Sequence, residues 1–167
     1  MIIIGIDPGL ANTGYGVIKK GKKNGKGSFL CLGYGLIKTL PSFPQGERLK
    51  KIHEELTFLL EKYQPEVLAV ENIYFFKNQK TAMPVSQAKG VILFTAANKK
   101  IPIYEFTPLQ VKKRLTGYGR ADKKEVLKET QKILKLKEVP KPDDVGDALA
   151  IAICCAKILK KPSHLTL

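Results

Sequence analysis

Asp7 ends the apolar run Ile2-Ile-Ile-Gly-Ile6, and Glu71 ends the run Val67-Leu-Ala-Val70; Asp144 and Asp147 open Ala148-Leu-Ala-Ile-Ala-Ile153. Carboxylates are rarely buried without a partner, because desolvating an unpaired charge is costly. Acids at the edges of three separate core segments therefore point to a shared compensating cation. Hard oxygen ligands without Cys or paired His suit Mg²⁺ or Mn²⁺ better than Zn²⁺. Two such ions, typically ~4 Å apart, stabilise the attacking and leaving oxygens of phosphodiester hydrolysis. Plainer readings stand beside this one. Asp7 before Pro8-Gly9 also suits a turn, and Asp144-x-x-Asp147 also suits helix capping and dipole compensation. Asp143 is assigned to the capping role. Glu71, inside Val-Glu-Asn-Ile-Tyr, is harder to explain that way. His53 and His164 have no ligand partner at motif spacing and read as structural or surface residues.

The chain around these acids is basic, with 29 Lys+Arg against 15 Asp+Glu and a net charge of +14. The charge is uneven. Residues 1–40 carry 6 basic and 1 acidic side chains, and residues 109–141 carry 11 and 4. Concentrated positive charge is the footprint of a nucleic-acid binder, although a solvated Lys-rich surface shares it. Tyr74-Phe-Phe-Lys77-Asn-Gln-Lys80 follows the Glu71 segment, and Tyr74 is the better candidate of its aromatics for stacking on bases while Lys77 and Lys80 hold phosphate. Lys112, Lys113, Arg114, Arg120 and Lys123 lie around Gly117-Tyr-Gly119, where backbone N–H groups can approach phosphates. No segment combines a long basic face with a Trp/Phe face, which argues against a membrane surface. Three unpaired cysteines, Cys31, Cys154 and Cys155, and an N-terminus without a basic leader predict a reducing, cytoplasmic setting.

These side chains need elements to hold them. At 167 residues one domain, 1–167, is expected. Residues 2–7 read as a buried strand and Tyr15–Lys19 as a second. Lys20–Gly27 reads as a basic hairpin tip, followed by a strand over Phe29–Lys38, so an antiparallel meander is expected. Leu49, Ile52, Leu56, Leu59, Leu60 and Tyr63 repeat at helical spacing in a helix from Pro44 to Tyr63. A short strand over Glu66–Asn72, a helix over Val85–Asn98 and a strand over Ile101–Phe106 follow. Thr107-Pro108 starts a helix to Leu115, Asp122 and Glu125 have capping-box spacing for a helix to about Leu136, and the last helix runs from Asp143 or Asp144 to Lys160. Strand and helix order β-β-β-α-β-α-β-α predicts an α/β fold, a ribonuclease-H-like mixed sheet with helices on both faces.

Gly5-Ile-Asp-Pro-Gly9 with Thr13-Gly-Tyr-Gly-Val17, Val70-Glu-Asn-Ile-Tyr74, Ser86-Gln-Ala-Lys-Gly90 and Asp144-Val-Gly-Asp-Ala-Leu-Ala150 resemble, in order and over nearly the whole chain, the RuvC family of Holliday-junction resolvases. The resemblance implies a homodimeric, Mg²⁺-dependent endonuclease that nicks opposing strands of a four-way DNA junction and works with the RuvA–RuvB branch-migration complex. It places Asp7, Glu71, Asp144 and Asp147 on the metal-binding positions, where some relatives carry His in place of Asp144. It places Lys112 and Lys123 on DNA-contact positions, Tyr74 on the aromatic that engages junction bases, and the second helix at the dimer interface. Met83-Pro84 departs from frequent family patterns. The reaction then expected is in-line attack of water on a phosphate, leaving a 5′-phosphate and a 3′-hydroxyl, with a nearby Lys stabilising the phosphorane or protonating the leaving oxygen. A non-catalytic junction-binding module would have lost at least one of the four acids, and an actin-like ATPase would need a second domain.

Overall fold

A computed structural model describes the backbone of residues 1–23, 26–72 and 79–159, with the side chains of those residues except 22, 23, 26, 27 and 79–81. The elements are β1 (Ile2–Asp7), β2 (Asn12–Lys23), β3 (Lys26–Lys38), α1 (Gln45–Tyr63), β4 (Val67–Glu71), α2 (Gln79–Asn98), β5 (Ile103–Phe106), α3 (Pro108–Thr116), α4 (Lys123–Leu134) and α5 (Asp143–Ile158). The five strands form one sheet of order β3-β2-β1-β4-β5. The first three are the expected antiparallel meander, and β4 and β5 add in parallel to β1.

β1 and β4 are almost continuously apolar because helices cover both faces of the sheet at this point. Ile3, Val67 and Ala69 pack into a core with α3, α4 and α5. Ile4, Ile6, Leu68 and Val70 pack into a second core with α1 and α2. Strand side chains alternate between faces, so Asp7 and Glu71, in phase with Ile3 and Val67, fall on the α5 side. Backbone pairing runs Ile3 with Val67 through Ile6 with Val70, which puts Asp7 and Glu71 at the adjoining ends of neighbouring parallel strands.

α5 is buried along nearly its whole length, from Val145 to Ala156. It lies directly on the sheet because the strands beneath it carry glycine. A Cβ on Gly5 would sit 2.2 Å from the Ala148 carbonyl oxygen, and one on Gly14 would sit 2.1 Å from that of Asp144. Gly14 pairs with Asp7, so the close approach brings the first turn of α5 over the end of β1.

Several boundaries differ from the sequence expectation, among them the start of β5 at Ile103 rather than Ile101. β2 and β3 run into the Lys-Gly tract and pair as far as Lys23 with Lys26, since alternate glycines do not prevent ladder bonds. α2 begins at Gln79 and runs through Pro84. A proline near a helix start removes one hydrogen bond, and the buried Ala88, Ile92 and Ala96 hold the rest of the helix. α5 ends at Ile158, two residues short of Lys160. Asp143 is not a cap: Pro142 occupies that position without a side-chain bond, and Asp143 is the first helical residue. The other two caps are as read, with reciprocal capping boxes at Thr107/Gln110 and Asp122/Glu125.

Candidate active site

Asp7 is held by β1, Glu71 by β4, and Asp144 and Asp147 by the first turns of α5. All four meet on the α5 side of the sheet. Their mutual influence shows in their acidity. Burial pushes the Asp7 carboxyl up to about 8, and repulsion from Glu71, Asp147 and Asp144 adds to this. Burial also raises Glu71 to about 7, with Asp147 adding and Lys123 and Lys89 opposing. Asp147 is raised by burial as well, although the Lys123 ammonium bonded to it pulls the other way. The arrangement is a concentration of negative charge that the protein itself only partly neutralises.

Among the described residues, Lys123 is the cation bonded to one of these acids. Its Nζ lies 2.8 Å from Asp147 Oδ2 and 3.4 Å from Asp143 Oδ2. Burial lowers the Lys123 affinity for its proton, but these two carboxylates outweigh that and raise it. Lys123 is the first residue of α4, where the Asp122/Glu125 capping box fixes the helix start. On the other side of Glu71, Lys89 of α2 donates to Asn72 Oδ1 at 3.1 Å and forms an ion pair with Glu105. Its side chain is only 12% exposed, so this pairing ties α2 to the strand end that carries Glu71. Sequence reading did not assign Lys89, though it stands inside the quoted Ser86-Gln-Ala-Lys-Gly90 motif. Its partners are 16 and 17 residues away, and no local spacing announces them.

Glu71, Asp147, Lys112 and Lys123 open into one recess, whose floor is Pro108, Val111, Val126, Ala150 and Ile151. Thus Lys112 and Lys123 share a cavity with two of the acids. Lys113 and Arg114 do not; they line a separate recess with Gln110, Gly117 and Ile158. Arg120 is exposed between α3 and α4. Tyr74 and Lys77 lie outside the described residues, as does the Lys80 side chain. His53 is structural, with Nδ1 2.8 Å from Thr95 Oγ1 and its ring tilted against Phe94. Cys154 and Cys155 are buried free thiols, pushed by burial up to about 11 and about 12, and they serve as core side chains.

The donor set fits a hard divalent cation: four carboxylates, no sulfur or imidazole, and charge repulsion that a cation would relieve. Among the described residues, no three potential ligands close on a common centre in this conformation. The acids flank a common space, and Lys123 supplies its positive charge. A mixed sheet of this order, helix-covered on both faces and carrying carboxylates at the ends of β1 and β4 and at the start of α5, defines a ribonuclease-H-like nuclease fold.

The family model described as crossover junction endodeoxyribonuclease RuvC matches residues 3–155. A relative of that name from Caldicellulosiruptor saccharolyticus is 49% identical over 154 residues, covering 92% of this chain and 91% of its own. The Thermus thermophilus RuvC structure superposes with a TM-score of 0.87 at 38% identity, covering 94% of each chain. The structure of T. thermophilus RuvC in complex with Holliday junction substrate superposes at 0.84 with 35% identity over the same shares. The chain belongs to the RuvC family.

Proposed function

We propose that Asp7, Glu71, Asp144 and Asp147 hold divalent cations, Mg²⁺ or in its place Mn²⁺, two per site, and that DNA is cut there. The chain is a structure-specific endonuclease that resolves Holliday junctions in recombination and repair, as its family membership implies. The single observation that carries the site assignment is the meeting of the four acids on one side of the sheet, with Asp7 and Glu71 raised to about 8 and about 7. When bound, the cations would polarise the phosphate and acidify the attacking water.

The chain's own residues have separable tasks. β1 and β4 keep Asp7 and Glu71 on rigid adjoining backbone. The amino-terminal end of α5 presents the positive end of its dipole toward an arriving phosphate. Lys112 and Lys123 flank the recess and hold phosphate oxygens. Lys123, whose Nζ lies 2.8 Å from Asp147 Oδ2, donates a proton to the leaving oxygen in this reading. Tyr74, Lys77, Lys80, Lys113, Arg114 and Arg120 are proposed DNA contacts around this centre. The reading also includes a single nuclease domain over 1–167, a homodimer, cooperation with the RuvA–RuvB complex, and a cytoplasmic location. Among the described residues, no helix is long and apolar enough to cross a membrane.

The test compares Asp7→Asn and Glu71→Gln with the parent protein on a mobile four-way junction, a linear duplex and an RNA–DNA hybrid, all with Mg²⁺. Cleavage of the junction is expected to fall by at least about 10²-fold in each variant, while junction binding survives. Cleavage that persists without either acid would refute the site, and equal parent activity on all three substrates would refute junction specificity.

A further inference from the structure

The backbone that carries Glu71 is held unevenly. β4 pairs with β1 as far as Val70, and with β5 one residue further, Glu71 with Phe106. Asn72, the next residue, still donates its backbone N–H to the Phe106 carbonyl oxygen at 2.8 Å. A strand end laddered on one side opens more readily than a strand centre unless something else holds it. Alternation puts Glu71 on the α5 side of the sheet and Val70 and Asn72 on the α2 side. Val70 accordingly shares a core with Ala88 and Ile92 of α2.

Lys89 of α2 meets this strand end from the face opposite the acids. Its Nζ donates to Asn72 Oδ1 at 3.1 Å and pairs with the Glu105 carboxylate. Glu105 stands on β5 in register with Val70. One ammonium group thus joins β4, β5 and α2 around the residue that follows Glu71. Ordering and desolvating a lysine side chain is costly, and an apolar residue would seat α2 on the sheet at least as well. Helix packing therefore does not account for Lys89, whereas a polar clamp on Asn72 does. Lys89 is not part of the recess lined by Glu71, Asp147, Lys112 and Lys123. Its route to the chemistry is the backbone of β4.

We propose that Lys89 is a positioning residue for cleavage: it locks Asn72 against β5 and so fixes the backbone from which Glu71 enters the site. The inference rests on the assignment of Glu71 to the metal-holding acids above. Lys89 touches neither phosphate nor metal in this role. It sets how accurately Glu71 is aimed, so it governs the rate of the bound junction and the affinity for cations, and leaves junction affinity alone. Its charge is secondary, because Glu105 cancels it while the geometry of the clamp remains.

The experiment compares Lys89→Met, Lys89→Arg and Glu105→Gln with the parent, all as the full chain. Single-turnover cleavage of a mobile four-way junction is measured in Mg²⁺ at saturating protein, and junction affinity with Ca²⁺ in its place. Mn²⁺ affinity of the DNA-free protein is read by electron paramagnetic resonance. Lys89→Met should lower the saturating rate and the Mn²⁺ affinity by about 10-fold each, the scale of a displaced supporting residue. Junction affinity should stay as in the parent. The thermal midpoint should move by no more than about 4 °C, because Glu105 is 42% exposed and can turn to water once unpaired. Lys89→Arg should restore the rate, since its fork reaches both the Asn72 amide oxygen and the Glu105 carboxylate. Glu105→Gln should lower the rate in the same direction as Lys89→Met, although the two change the charge oppositely. Opposite effects would overturn the proposal, because Lys89 would then act by charge alone. An unchanged rate, or a loss of junction affinity matching the loss of rate, would overturn it too. In a Glu71→Gln background, Lys89→Met should leave Mn²⁺ affinity nearly unchanged; a further 10-fold fall there would show that Lys89 does not act through Glu71. Parent-like cleavage by Glu71→Gln alone would instead count against the site assignment.

Discussion

Asp7 and Glu71 keep their protons to unusually high pH, with ordinary values of 3.8 and 4.5 raised to about 8 and about 7. A carboxyl raised on folding binds a proton in the native state that the unfolded chain has released. Stability from these two acids is therefore complete below about pH 4 and is lost as pH rises through 7 and then 8. The thermal midpoint of the metal-free protein should fall by several degrees between pH 6 and pH 8.5. Asp7→Asn should flatten that fall, and calorimetry at the two pH values would show it. Adding Mg²⁺ should stabilise more at pH 8.5 than at pH 6, because a bound cation needs the deprotonated carboxylates. A midpoint independent of pH in both proteins would contradict the electrostatic coupling described for these acids.

At the scale of elements, the site depends on how closely α5 can lie on the sheet. Gly14→Ala would drive a methyl group to 2.1 Å from the Asp144 carbonyl oxygen, so helix or strand must move. We expect a loss of roughly 1–3 kcal/mol in a denaturant titration. Cleavage should fall further than stability alone explains, since the movement separates Asp144 from Asp7. Gly46→Ala is the contrasting case. Gly46 sits in the first turn of α1 with nothing within 4 Å of the added methyl. Helix propensity then acts alone and should stabilise by about 0.4–1 kcal/mol. Asp122→Ala removes the cap of α4 and should cost ~1 kcal/mol. Because Lys123 is the next residue, that variant should also weaken the Lys123–Asp147 pairing.

For the whole molecule, a +14 chain gathers Asp7, Glu71, Asp144 and Asp147 on one side of its sheet within an otherwise Lys-rich sequence. Junction binding should weaken steeply with salt, by on the order of 10³-fold or more between 50 and 200 mM if six or more phosphates are contacted. Much of this organisation is legible along the chain. Apolar runs that stop at Asp7 and Glu71, and one that Asp144 and Asp147 open, mark the acids, and the 2- and 3.6-residue periods mark the strands and helices that carry them. Those signals are local, so they survive in one dimension. The length of the β2–β3 ribbon is not legible, because Lys-Gly alternation carries no apolar period although its backbone pairs. Nor is the role of Asp143, which looks like a cap but meets Lys123 across 20 residues. The Lys89 contacts to Asn72 and Glu105 and the seating of α5 on Gly5 and Gly14 were likewise decided by tertiary structure. The sequence determined which acids stand beside the core and which segments carry them. Packing alone decided which cation faces each acid and how near the helix comes, because those distances depend on side-chain volume between segments far apart in the chain.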